Sequence, residues 1–220
     1  MERQERVSSK KVSICIIIII LFHVVGLAGF FTPALLPLFL KIVPFHILLM
    51  LAVMFYSHDS WGSKFFTFII ATFSLGFAVE WIGVHKHLIF GNYAYGETLG
   101  FKLWDIPLTI GVNWFLVVYA VGVLMQRTRL KSAIARVALG TIALTALDFI
   151  IEPIAIKYHY WHWQPHGGPF AAPLGNYVGW LAVGTLMLMI FELMKFNRQS
   201  VVAVVLLITQ CVFFALLHLV

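Results

Sequence analysis

Apolar stretches of roughly 20 residues recur along the whole chain, and that is the length a helix needs to cross a bilayer. They read as seven spans: 12–31, 43–57, 65–85, 105–126, 133–157, 176–195 and 200–219. Backbone in lipid must satisfy its own polar groups, which leaves helices or closed barrels, and runs this long and continuous suit helices. Composition agrees: 61% of the 220 residues are hydrophobic, 11% are charged, and mean hydropathy is +0.95. Soluble domains carry about 25% charged residues. The expected fold is all-α, a polytopic transmembrane bundle of about seven spans. A basic segment, 1–11, precedes a single transmembrane domain, 12–220.

The second stretch is short and contains Pro44, so charge decides whether it crosses. With seven spans and the N-terminus inside, the cytoplasmic segments hold Arg3, Arg6, Lys10 and Lys11, then Lys64. Arg127, Arg129, Lys131 and Arg136 follow, and then Lys195 and Arg198. Lys41, Lys86, Lys102 and Lys157 alone fall outside. Dropping the second span would turn 127–136 outward, against the positive-inside rule. The N-terminus is therefore expected in the cytoplasm and the C-terminus outside, in a multi-pass protein of the cell membrane. The net charge of +6 is a topology signal and not a footprint for nucleic acid. The basic start followed by Ile14–Leu21 resembles a signal peptide. The apolar run continues to Phe31 without a small-residue cleavage pattern, and reads as a retained anchor. Cys15 and Cys211 lie within apolar stretches and imply neither a disulfide nor a metal site.

Asp148 and Glu152 sit four apart inside the apolar run 137–156, on one helix face. A charge at membrane depth costs at least ~2.5–3.5 kcal/mol, so intramembrane acids mark functional interiors. Two neighbouring carboxyls in a low dielectric do not readily both ionise, and one is expected to hold its proton near neutral pH. A neutral acid in an apolar cavity is a proton donor for an apolar substrate. At ~1.5 Å per residue, Glu80 and Asp148 each lie ~24 Å above the cytoplasmic end of their helix, and Asn113 ~21 Å. Glu152 lies one turn further out. Polar groups on three helices at one depth suggest one site. The structural alternatives are a Glu80 that reaches the headgroups, an Asn113 that bonds between helices, and a buried structural acid pair. Asp105, just before Pro107, is well placed as the N-cap of the fourth span. Pro153 removes a helical hydrogen bond beside Glu152.

Two outer loops are aromatic. One runs from His85 to Trp104 with Phe90, Tyr93, Tyr95 and Phe101. The other runs from Tyr158 to Asn176 and opens with Tyr158-His159-Tyr160-Trp161-His162-Trp163. They read either as an interfacial belt or as a mouth over a hydrophobic cavity, with Gly167, Gly168, Pro169 and Pro173 setting turns. The nine histidines form no metal-binding pattern; His23, His46, His58 and His218 are scattered and are expected to be satisfied locally. No phosphate loop, Ser-His-Asp set or internal repeat is visible, and the missing repeat weakens a transporter reading. No cofactor is expected.

Five stretches carry a resemblance: Glu80-Trp81-Ile82-Gly83-Val84-His85, Ile89-Phe90-Gly91-Asn92-Tyr93-Ala94-Tyr95-Gly96, Ile106–Trp114, Ala146-Leu147-Asp148-Phe149-Ile150-Ile151-Glu152-Pro153 and Tyr160-Trp161-His162-Trp163. Over residues 65–190 the chain resembles the membrane carotenoid 1,2-hydratase, or bisanhydrobacterioruberin hydratase, family. The resemblance implies addition of water to the terminal C1–C2 double bond of an acyclic (ψ) carotenoid end group, without an oxidant. It also implies a hydrophobic carotenoid and water as substrates, a bilayer setting and association with other carotenoid enzymes.

The residues suggest roles for that chemistry. Protonation of C2 gives a tertiary cation at C1, which water captures. The Asp148/Glu152 pair is the expected proton source, with Asp148 the first choice. Glu80 and Asn113 are expected to position the water and take up its proton. Trp81, Trp114 and Trp161 are candidates to stabilise the cation by their ring faces, and Tyr93, Tyr95 and His85 to line the mouth of a slot open sideways to lipid. A small membrane lycopene cyclase would share the first step. A carotenoid binder or proton-coupled carrier would also use intramembrane acids, but with polar groups in both membrane halves.

Overall fold

The computed structural model describes residues 8–164 and 172–220. Arg3 and Arg6, and the turn positions Gly167, Gly168 and Pro169, lie outside the described residues. Seven helices form the described chain: α1 Ser9–Phe30, α2 Leu36–Ser57, α3 Ser63–Lys86, α4 Leu108–Arg127, α5 Ala133–Lys157, α6 Leu174–Met194 and α7 Val202–Leu217. The first six are long and apolar enough to cross a membrane. The protein is a multi-pass integral membrane protein.

Two boundaries differ from the sequence expectation. α2 begins at Leu36 and has 22 residues, with Pro44 inside it. Pro44 costs one backbone bond without ending the helix, so this span is of full length. α4 begins at Leu108, because Ile106–Pro107 pairs with Lys102–Leu103 as a short antiparallel ladder, β3 with β2. Asp105 is not the N-cap. It sits in the turn of that ladder at φ +63, and Pro107 occupies the cap position without a side-chain bond.

α7 has 16 residues, about 24 Å of helix, which is short for a full hydrocarbon crossing. It nevertheless connects the same two ends as its neighbours. The Arg127 Nη2 donates to the Gln199 carbonyl at 2.8 Å before α7. Beyond it, the Lys157 ammonium donates to the Val220 carbonyl. The ends are chemically distinct. One, the basic end, carries Lys11 over the Tyr56 ring at 4.6 Å and a paired, half-buried Arg136–Glu192 bridge at 2.6 Å. The other carries the aromatic loops.

α4 is the axis of the bundle. In its most apolar 18-residue window 83% of the residues are buried, against 17–33% for the other five long helices. A helix apolar all round packs on every side, and α4 contacts α2, α3, α5, α6 and α7. Apolar side chains gain little from leaving lipid, so packing and interhelical polar bonds hold such bundles. Thr141 and Thr185 meet across α5 and α6 at 3.2 Å.

The aromatic loops pair with one another. Tyr93–Tyr95 (β1) runs antiparallel to Trp161–Trp163 (β4), in the register Tyr93↔Trp163, Ala94↔His162 and Tyr95↔Trp161. The pairing continues through Gly96 N–H to Tyr160 O and Gln164 N–H to Asn92 O, both 2.9 Å. Thr98 Oγ1 ties the first loop to the Tyr158 carbonyl at 2.9 Å.

Candidate functional site

Side chains one residue apart on either side of a strand's middle residue share a face. Tyr93 and Tyr95 therefore point the same way, as do Trp161 and Trp163, and the register puts all four on one side of the ribbon. Beneath them lie two carboxyls. Tyr93 and Tyr95 donate to Glu80 Oε2 at 2.5 and 2.6 Å. Trp161 donates to Glu152 at 3.1 and 3.2 Å, and Trp163 Nε1 donates to Glu152 Oε1. Four side-chain donors of the ribbon thus bond to the two acids it covers, and hold it down on them. Burial, and then the nearby Glu80 charge, push the Tyr93 and Tyr95 phenols well above their usual range. Both tyrosines remain donors across the working pH range.

Glu80 receives a third bond, from Trp114 Nε1 at 2.9 Å. Two glycines on the same face of α3 make room for these donors. A Cβ at Gly76 would meet the Trp114 ring at 2.6 Å, and one at Gly83 would overlap the Tyr93 hydroxyl. Glu80 is buried, with 6% exposed. It does not reach the headgroups.

Asp148, 3% exposed, has a different environment. Among the described residues it accepts one side-chain hydrogen bond, from Asn176 Nδ2 on α6 at 2.8 Å. Asp148 lies one turn before Glu152 on α5, so the two acids share a wall.

These groups border one cavity of about 530 Å³, within the 300–1,000 Å³ usual for ligand sites. Glu80, Asn113, Trp114, Asp148, Glu152, Trp161, Tyr93 and Tyr95 all line it. Trp81 and His85 do not. They stack on each other at 4.9 Å on the outer side of α3, and His85 Nε2 lies 3.5 Å from Asp105. One position along a helix turns a side chain by about 100°, which separates Trp81 from Glu80. Asn113 faces the cavity and makes no hydrogen bond to Glu80; Trp114 holds that acid instead.

Several lining residues escaped the sequence reading. Asn176 and Trp180, four apart on α6, bring the Asp148 donor and a ring that stacks on Trp114 at 4.4 Å. Their spacing on one face, at the depth of the acids, was the available signal. Trp163, Tyr160, His23, His46 and Gln210 also line the cavity. Phe22 and Val25 of α1 and Ile42 and Phe45 of α2 border it while being 39–69% exposed. The cavity therefore opens sideways between α1 and α2. Among the described residues no Lys or Arg lines it, and no three His, Cys, Asp or Glu side chains are grouped to hold a metal ion.

Searches of curated proteins and of solved structures each gave no significant match. The sequence model of one family, described as carotenoid biosynthesis protein, matches residues 41–220. That stretch holds all three acids, both strands of the ribbon, five of the seven helices and most of α2, and the chain belongs to the carotenoid biosynthesis protein family.

Proposed function

We propose that this member of the family hydrates the terminal C1–C2 double bond of an acyclic carotenoid end group, with Asp148 as the proton donor. The supporting observation is the contrast among three acids on one apolar cavity. Glu80 accepts three hydrogen bonds and Glu152 is bonded by two indole N–H groups, donors that favour the ionised form of each. Asp148 accepts one. Buried charges need partners, and among the described residues no cation lines the cavity, so the remaining acid is best held neutral.

The end group enters between α1 and α2 and lies against Asp148. The carboxyl proton goes to C2, and the C1 cation forms near the Trp114 and Trp161 ring faces. Water held by Asn113 and Glu80 adds to C1 and gives its proton to Glu80. One proton is lost and one gained, so returning it to Asp148 closes the cycle. No oxidant is consumed.

Co-expression with a lycopene-producing pathway tests this, with pigments read by liquid chromatography and mass spectrometry. Wild type is expected to add one water per reacted end, and Asp148→Asn none. A product of unchanged mass and shifted spectrum would instead establish cyclisation, the reading in which a neighbouring double bond quenches the cation.

A further inference from the structure

The cavity has a second polar wall that the proposed hydration leaves unused. It is built from α1, α2 and α7, whereas the acids stand on α3 and α5. His23 on α1 has its Nδ1 bonded to the Ile19 carbonyl at 2.8 Å. Its ring meets His46 of α2 edge-on at 4.7 Å and Phe213 of α7 at 5.5 Å. Gln210 lies one turn before Phe213 on the same face of α7. His23, His46 and Gln210 all line the cavity. Among the described residues, the Gln210 carboxamide oxygen is buried with no hydrogen-bond partner, and His46 has none either. Counted along the helices from the basic end, Gln210 stands ~12 Å up α7 and His46 ~17 Å up α2, against ~28 Å for Glu152 on α5. Gln210 and His46 thus lie deeper than the acids, whereas His23, ~21 Å up α1, stands near the depth of Asp148.

A pure hydrocarbon chain has nothing to offer these groups, and buried polar atoms left unmatched cost binding free energy. A neutral imidazole has one donor and one acceptor nitrogen, and Gln210 Oε1 is an acceptor. The complement to both is a group that donates and accepts at one atom, which is a hydroxyl. We infer that His46 and Gln210, with His23 positioning His46, form a subsite for a hydroxyl group on the isoprenoid ligand. The site accordingly favours a chain already oxygenated over its hydrocarbon counterpart. Part of this wall, with His23, lies on α1, before the residues 41–220 that match the family. The inference rests on the proposed function only in taking the cavity as an isoprenoid site.

The test is a binding experiment that needs no turnover. The full chain in phosphatidylcholine nanodiscs is titrated with geranylgeraniol and with its deoxy hydrocarbon, and binding is read from tryptophan fluorescence. The readout is the ratio of the two affinities, compared between wild type, Gln210→Met and His46→Phe, so that different partitioning into lipid cancels. The expected result is a ratio about tenfold lower in each variant, with hydrocarbon binding kept. An unchanged ratio overturns the subsite, as it would if bound water alone satisfied His46 and Gln210. Hydrocarbon binding reports folding, and the near-isosteric Gln210→Met decides if His46→Phe loses it. Failure of the hydratase reading would appear in product mass and leave this ratio untouched.

Discussion

The Tyr93 hydroxyl donates to Glu80 Oε2 at 2.5 Å, joining the ribbon over the cavity to a helix of its wall. Removing the hydroxyl in Tyr93→Phe keeps the ring contacts with Phe90 and Trp163 but takes one of three donors from a buried acid. The lost bond corresponds to roughly 1.5–3 kcal/mol, or about a 10–100-fold fall in product formation. Tyr95→Phe should behave alike, and the double variant should fall further. Pigment yield normalised to folded protein measures it. Full activity in Tyr93→Phe would show that the ribbon need not be pinned to Glu80.

Asp148→Asn preserves shape and removes the proton. Loss of a general acid is expected to cost about 10²–10⁴-fold in rate, with carotenoid binding retained. Infrared difference spectra at pH 7 offer a second check. Wild type should show a protonated carboxyl band that disappears in Asp148→Asn. An ionised carboxylate band lost on that substitution would remove Asp148 from the donor role.

Gly76→Ala tests the close approach of α3 and α4. The added methyl would lie 2.6 Å from the Trp114 ring, so the indole must move and loosen its bond to Glu80. Overpacking of this kind typically costs 1–3 kcal/mol. A fall in thermal stability should accompany lower activity, and Trp114→Phe in the same background should restore part of the stability. A silent Gly76→Ala would mean that Trp114 is loosely held.

Much of this arrangement was legible in the sequence. Helices spanning a bilayer must be long and apolar, so their number and order followed from hydropathy and basic residues. Depth counting brought Glu80, Asn113 and Asp148 to one cavity, because helical rise is fixed. Facing was harder. Trp81 stood beside Glu80 in the chain and lies on another side of α3, whereas Asn176 stood in a loop boundary and reaches Asp148. The ribbon left a readable trace in Tyr93-Ala94-Tyr95 and Trp161-His162-Trp163, both alternating with the strand period. Their pairing joins segments some 68 positions apart, and local sequence does not encode such a partnership. The start of α4 was displaced because Ile106–Pro107 is held by Lys102–Leu103, a contact that outweighs the capping preference of Asp105.

At the basic end, His58 gives a stability prediction with a defined sign. Its ring stacks on Phe65 at 3.6 Å, and its Nδ1 lies 2.7 Å from the Tyr119 hydroxyl. Burial pushes its pKa down to about 4, from about 6.5 in an unfolded chain. Between those values the unfolded state binds the proton and the folded state does not, so stability rises with pH. The contribution is complete above about pH 6.5 and is lost as pH falls towards 4. Chemical denaturation in detergent at pH 7.5, 6.0 and 5.0 should show wild type weakening over that window. His58→Gln, which cannot titrate there, should start less stable at pH 7.5 and show a flatter profile. Parallel profiles for the two proteins would assign the acid sensitivity to other groups.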